Sequence, residues 1–174
     1  MSMLRKFTFG LIGSFTSVIA TNERSQTEVR ARSEVRGKEV SGVFELVQPT
    51  YTGNTQITGE VKGLYADHRH EVQIIEGPAG TNDNVFNPFA KKDGSPWNAE
   101  RKVGNIGSLL TDSQGVGKYE ISDPFVKLSG PFSVVNKSIA IYENTFNYVE
   151  GKVRSEKVFK GRGKVLASGL ITSN

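Results

Sequence analysis

The side chains able to bind a metal or move a proton are few in this chain, and they sit close together. It has only two histidines, His68 and His70, within Asp67-His68-Arg69-His70, and no cysteine. Two imidazoles at that spacing could take copper or zinc, although a pair alone does not define a redox site of fixed geometry. The lack of cysteine excludes disulfides, zinc knuckles and thiol catalysis. No Ser/His/Asp triad, paired-carboxylate site or phosphate loop is supported by spacing. The second concentration is of charge: Glu150 to Lys164 holds six basic side chains, Lys152, Arg154, Lys157, Lys160, Arg162 and Lys164, against Glu150 and Glu156. Over the whole chain 22 basic residues against 18 acidic give a net charge of +4. That is too mild for the dense basic surface of a nucleic-acid binder. Asn136-Lys137-Ser138 fits a glycosylation acceptor if the chain is secreted, and Asn also tolerates the left-handed backbone of a tight turn.

The elements that position these residues read as strands. The length, 174 residues with 36% hydrophobic content, suits one globular domain. From Glu28 to Val35 the chain alternates, with Val29, Ala31, Ser33 and Val35 on one face and charged residues on the other, the period of a half-buried strand. Further β-rich runs cover Val40 to Val47, Gln56 to Leu64, Glu71 to Ile75, Ile106 to Leu110, Lys118 to Ser122, Ser138 to Tyr142 and Lys164 to Ile171. Between them, Gly77 to Lys102 is an irregular loop rich in Gly and Pro, long for a connection without a purpose. No long amphipathic helical pattern occurs, so the expected closure is an all-β sandwich or barrel with Greek-key connections.

The first 20 residues differ in kind. Arg5 and Lys6 precede the apolar run Phe7 to Ala20 with no acid among them, which predicts a targeting segment at 1–20 and a domain at 21–174. A secretory signal cleaved after Ala20 is the first expectation, and places the protein outside the cell or in the secretory pathway. A mitochondrial presequence is the alternative, with Arg24, Arg30, Arg32 and Arg36 downstream. An uncleaved arm is the third. No segment is long and apolar enough to span a bilayer.

A set of short motifs then carries a family resemblance. Val40 to Leu64 (VSGVFELVQPTYTGNTQITGEVKGL), Phe86-Asn87-Pro88, Gly94-Ser95-Pro96, Glu100 to Gly107 (ERKVGNIG), Asp112 to Gly117 (DSQGVG), Leu128-Ser129-Gly130, Ile139 to Glu143 (IAIYE) and Ala167 to Ile171 (ASGLI) resemble the copper/zinc superoxide dismutase family in order and approximate spacing. The resemblance implies an eight-stranded Greek-key β-barrel with two long loops, and a homodimer is possible. It also implies that the Gly77 to Lys102 loop holds zinc and lines the site.

The same resemblance implies about six histidine ligands, and most of those positions hold other residues. Val85 stands for the bridging histidine, Asp93 and Lys102 for two more, Asn105 for the zinc carboxylate, and Tyr142 for the last copper ligand. Val offers no lone pair and a protonated Lys cannot ligate. The superoxide-steering arginine falls on Val165 in a gapless match, with Arg162 near, and Ser168 replaces a disulfide partner. Two registers are open for the first copper ligands. In one they are His68 and His70. In the preferred one His70 precedes the ligand pair, Val72 and Ile74 point to the core, and the ligand slots are Gln73 and Ile75; the plainest reading of the two histidines themselves is as solvent-facing residues of a turn. The expectation is a catalytically inactive, superoxide-dismutase-like protein without a cofactor, in a structural or partner-binding role or as a subunit of a larger assembly. Lys152, Arg154, Lys157, Lys160 and Arg162 are the partner-binding candidates, and no nucleic acid is expected. The alternative is a residual copper-binding protein or superoxide dismutase using His68 and His70, with copper as its cofactor.

Overall fold

A computed structural model describes residues 28–50, 53–144 and 162–174. No helix occurs among them. Eight strands form: β1 Glu28–Arg36, β2 Ser41–Pro49, β3 Thr55–Lys62, β4 Arg69–Ile75, β5 Asn105–Thr111, β6 Gly117–Asp123, β7 Ser138–Tyr142 and β8 Val165–Ser173. They close into one antiparallel barrel in the order β1-β2-β3-β6-β5-β4-β7-β8. The jump from β3 to β6, and the insertion of β4 between β5 and β7, are the Greek-key crossings.

Alternation decides which side chains go inside. In β1, Ala31, Ser33 and Val35 are buried, while Glu28, Arg30, Glu34 and Arg36 are exposed. The same period carries Phe44 and Leu46 of β2, Ile57 and Val61 of β3, and Tyr119 of β6 into the interior. Phe44 meets Tyr119 edge to face at 5.6 Å. That packing needs Gly59, since a Cβ there would lie 2.6 Å from the Phe44 ring. Asn136 adopts φ 68° at the turn into β7, so the left-handed conformation that Asn tolerates is in use. Asp112 closes the β5–β6 hairpin by accepting hydrogen bonds from the N–H groups of Gln114 and Val116, both 2.9 Å.

β4 and β7 break the alternation. After Arg69 every residue of β4 is buried, and so is every residue of β7. A strand buried on both faces reads as a continuous run rather than an alternating one. Here the inner face feeds the main core through Val72, Ile74, Ile139 and Ile141. A second, smaller cluster of Ile75, Ala140 and Tyr142, with Ala79 and Val165 against it, lies on the other face.

The long loop covers that other face and is fixed at its root. Phe86 N donates to Ile74 O, Gly104 N to Phe86 O, and Ile74 N to Gly104 O, each at 2.9 Å. Any side chain at Gly104 would place a Cβ 2.1 Å from Ile74 O. Below this, Arg101 and Asp123 form an ion pair with both side chains at 0% exposure. Arg101 also donates to the carbonyls of Pro96, Lys102 and Val103. Asp123 accepts from the N–H groups of Phe125 and Val126.

Candidate functional site

The outer face of β4 and β7, under the loop, gathers most of the residues singled out as ligand slots. Val72 and Ile74 point into the core, so Gln73 and Ile75 face outward. Ile75 pairs with Val85 of the loop and packs against Ala140 and Tyr142. Gln73 is occupied: its Oε1 accepts a hydrogen bond from Arg162 Nη1. The Arg162 guanidinium also lies 4.7 Å over the Tyr142 ring. Arg162, not Val165, is therefore the arginine delivered to this face. Burial pushes the Tyr142 phenol up, against the nearby Arg162 charge, and its hydroxyl is buried without a hydrogen-bond partner.

Asp93, Lys102 and Asn105 meet one another rather than an open site. Lys102 Nζ lies 2.9 Å from Asp93 Oδ2, and Asn105 Nδ2 donates to Asp93 Oδ1 at 3.1 Å. Burial alone would raise the Asp93 carboxyl. The hydrogen bonds from Lys102 and Asn105, with the charges of Lys102 and Arg162, outweigh it and hold the group below its usual range.

The two histidines stand at the rim, where Tyr142 joins both regions. His70 is fully buried, at 0% exposure. Its Nδ1 lies 2.9 Å from Tyr142 O, and His68 Nε2 lies 3.1 Å from Glu143 O. A carbonyl only accepts, so each contact fixes an N–H on that nitrogen, His70 Nδ1 and His68 Nε2. The rings are 4.8 Å apart, with the Tyr65 ring 5.7 Å from His70 and 5.9 Å from His68. The Tyr65 hydroxyl donates to Glu143 Oε1 at 3.2 Å. His70 Nε2 is buried with no partner. Burial, with the charge of His68, lowers the His70 pKa against the raising effect of the carbonyls of Tyr142, Tyr65 and Glu143. The expectation of two solvent-facing turn residues is thus corrected. His70 lies on the same face of β4 as Val72 and Ile74, and alternation carries it inward.

The loop run from 150 to 164 lies largely outside the described residues, and with it Lys152, Arg154, Lys157 and Lys160. Arg162 is described, and its contacts with Gln73 and Tyr142 turn it inward. The segment 1–20 also lies outside. No helix of the described residues is long and apolar enough to cross a membrane.

A closed eight-stranded antiparallel barrel with Greek-key crossings and a long loop laid over β4 and β7 define the class of fold. The family model described as copper/zinc superoxide dismutase matches residues 40–171, and the chain belongs to that family. It is 39% identical over 149 residues to a protein of Candida glabrata named superoxide dismutase [Cu-Zn], covering 82% of this chain and 97% of the relative. Over the same length and shares it is 30% identical to the superoxide dismutase [Cu-Zn] of Cryptococcus neoformans var. grubii, and 31% to that of Candida albicans.

These relatives correct two expectations drawn from the sequence: that the chain is not an enzyme, and that it takes no cofactor. Relatives with this name, matched along almost their whole length, point to an enzyme and to copper and zinc. The expectation went wrong by treating the replaced slots as the whole donor inventory. It kept His68 and His70 only as the alternative, and the fold anchors both by backbone carbonyls.

The two metals fit this chain unequally. On the outer face Ile75 and Val85 have no donor, Gln73 Oε1 is held by Arg162, and Asp93 is held by Lys102 and Asn105. Asn105 Oδ1 is buried and unpartnered, but one neutral amide oxygen beside an ammonium does not hold a divalent ion. Among the described residues no three His, Cys, Asp or Glu side chains are placed to share a metal. The outer face therefore does not fit a two-metal centre. The rim pair has the residue type and the second-nitrogen carbonyl contact that copper-binding imidazoles commonly show.

Proposed function

We propose that this protein is a copper-dependent enzyme of the superoxide dismutase family, acting on superoxide, with its copper held by His68 and His70. The observation that carries this reading is the doubly anchored pair: consecutive carbonyls, Tyr142 O and Glu143 O, orient two adjacent imidazoles through one ring nitrogen each. The names of the relatives support the substrate. Bound copper would supply one-electron exchange between two oxidation states. The chain's own residues do the rest. Burial lowers the His70 pKa and so favours the neutral ring that copper would need. Tyr65 packs against both rings and shields them from one side. Arg162, fixed on Gln73 and Tyr142, sets a positive charge on the outer face that would draw an anion toward this end of the barrel. The excess of basic residues in the 150–164 run supports a second role for that segment, the docking of an acidic protein partner.

Copper titration of metal-free protein, followed by elemental analysis and electron paramagnetic resonance, tests the site. One copper per chain is expected, with nitrogen hyperfine structure. His68→Ala should weaken it at least ~10-fold while leaving the barrel folded, because His68 is only partly buried. The copper-loaded protein should remove superoxide. Substoichiometric copper, or binding that is the same in His68→Ala and a His68→Ala/His70→Ala double variant as in the parent, overturns the reading.

A further inference from the structure

We propose that Lys102 is the resident cation of the long loop: its ammonium clips the loop to β5 through Asp93 and Asn105, and thereby keeps zinc out of that position. Between Ile75 and Asn105 the chain forms no strand, only the single bridge of Val85 to Ile75. Asp93 lies midway along the loop, Lys102 near its return, and Asn105 is the first residue of β5. One carboxylate joins all three, with Oδ2 taken by Lys102 and Oδ1 by Asn105. The backbone runs with it: Lys102 N donates to Lys92 O at 3.0 Å and Asn105 N to Lys102 O at 3.2 Å. A single positive charge thus gathers loop and strand as a bound divalent ion could. An incoming zinc ion would have to displace the ammonium from Asp93, and Arg162 places a further positive charge close enough to act on the same carboxylate. That repulsion, with only Asp93 and Asn105 as donors, closes the position to a divalent ion. The pair is partly exposed, Lys102 at 25% and Asp93 at 50%, so its hold on the loop is moderate.

Hydrogen exchange followed by mass spectrometry on the full chain, in chelator and then with zinc alone, reads the clip directly. In the parent protein, peptides of residues 86–104 should be equally protected in both conditions. Lys102→Met should speed their exchange ~5-fold and leave peptides of β1 to β3 unchanged, which separates loop release from global unfolding. Lys102→Arg should retain most of the protection. The double variant Lys102→His/Asn105→Asp, which supplies a His and a second carboxylate beside Asp93, should take up zinc and slow loop exchange when it does. Zinc-dependent protection in the parent, or unchanged exchange in Lys102→Met, overturns the proposal. His68 and His70 are intact in every variant, so copper uptake judges the copper reading separately.

Discussion

Replacing Arg101 with Met should cost the barrel far more stability than any other single ion-pair change among the described residues. The guanidinium and the Asp123 carboxylate are both at 0% exposure. Met keeps the aliphatic bulk, but Asp123 is left with only the N–H groups of Phe125 and Val126 for company, and the carbonyls of Pro96, Lys102 and Val103 lose a donor. Removing one partner of a buried pair costs about 3–5 kcal/mol, because the remaining charge is stranded out of water. With about 3 °C of Tm per kcal/mol at this chain length, a loss of about 4 kcal/mol corresponds to about 12 °C. Thermal unfolding by circular dichroism, with urea denaturation to check that the slope is unchanged, measures it. Arg36→Met is the matched control: the Arg36 and Glu34 side chains are 75% and 48% exposed, so its shift should stay under about 2 °C. A fall for Arg101→Met no larger than the control would refute the reasoning. It would mean that the pair is hydrated or contributes nothing to the root of the loop.

Three further outcomes are expected. Asp93 has its folded pKa held below the ordinary value, so its contribution to stability is present above the unfolded pKa and lost as pH falls through the folded one; Asp93→Asn should flatten the acid side of the stability curve, and an identical curve would refute this. For residues 1–20 we propose a secretory signal, so N-terminal sequencing of native protein should find a start at or near Thr21. A start near Arg36 would instead remove nearly all of β1, Glu28–Arg36, so mitochondrial processing, the alternative, has to cut before Glu28 to leave the barrel closed. Reversal of Lys152, Arg154, Lys157 and Lys160 to Glu should slow association with an acidic partner and mimic added salt, with Tm nearly unchanged; salt-independent, unaltered binding would refute docking through this run.

The strands were legible because each one carries its own signal. Ser138 to Tyr142 is read from the sequence with the bounds the strand has, and Glu28 to Val35 within one residue, since alternation and turn residues act over neighbours a few positions away. The motifs in order carried the barrel and its long loop for the same reason. The site was less legible because its contacts join distant segments. Arg162 reaches Gln73 across 89 positions, and a gapless comparison pointed instead at Val165, whose side chain packs in the small apolar cluster. His70 was readable in principle: stepping back by two from Ile74 and Val72 lands on it, but its place just after Asp67 and His68 suggested a turn.

The replaced slots show the limit most clearly, and also what the substitutions share. Taken singly, Lys102 is a lost ligand, Asp93 another and Asn105 a third. In the fold each is another's partner, one ammonium and one amide on one carboxylate. Gln73 and Arg162 stand in the same relation, with the guanidinium also covering Tyr142. Gln73 is buried and its Oε1 would be left unsatisfied without Arg162, whereas Lys102 and Asp93 are partly exposed and their pairing contributes less. The residues under the loop therefore have to be read as two coupled sets in which side-chain cations meet their acceptors. The imidazoles at the rim lie outside both sets, held by the carbonyls of Tyr142 and Glu143, and it is on them that the proposed copper site rests.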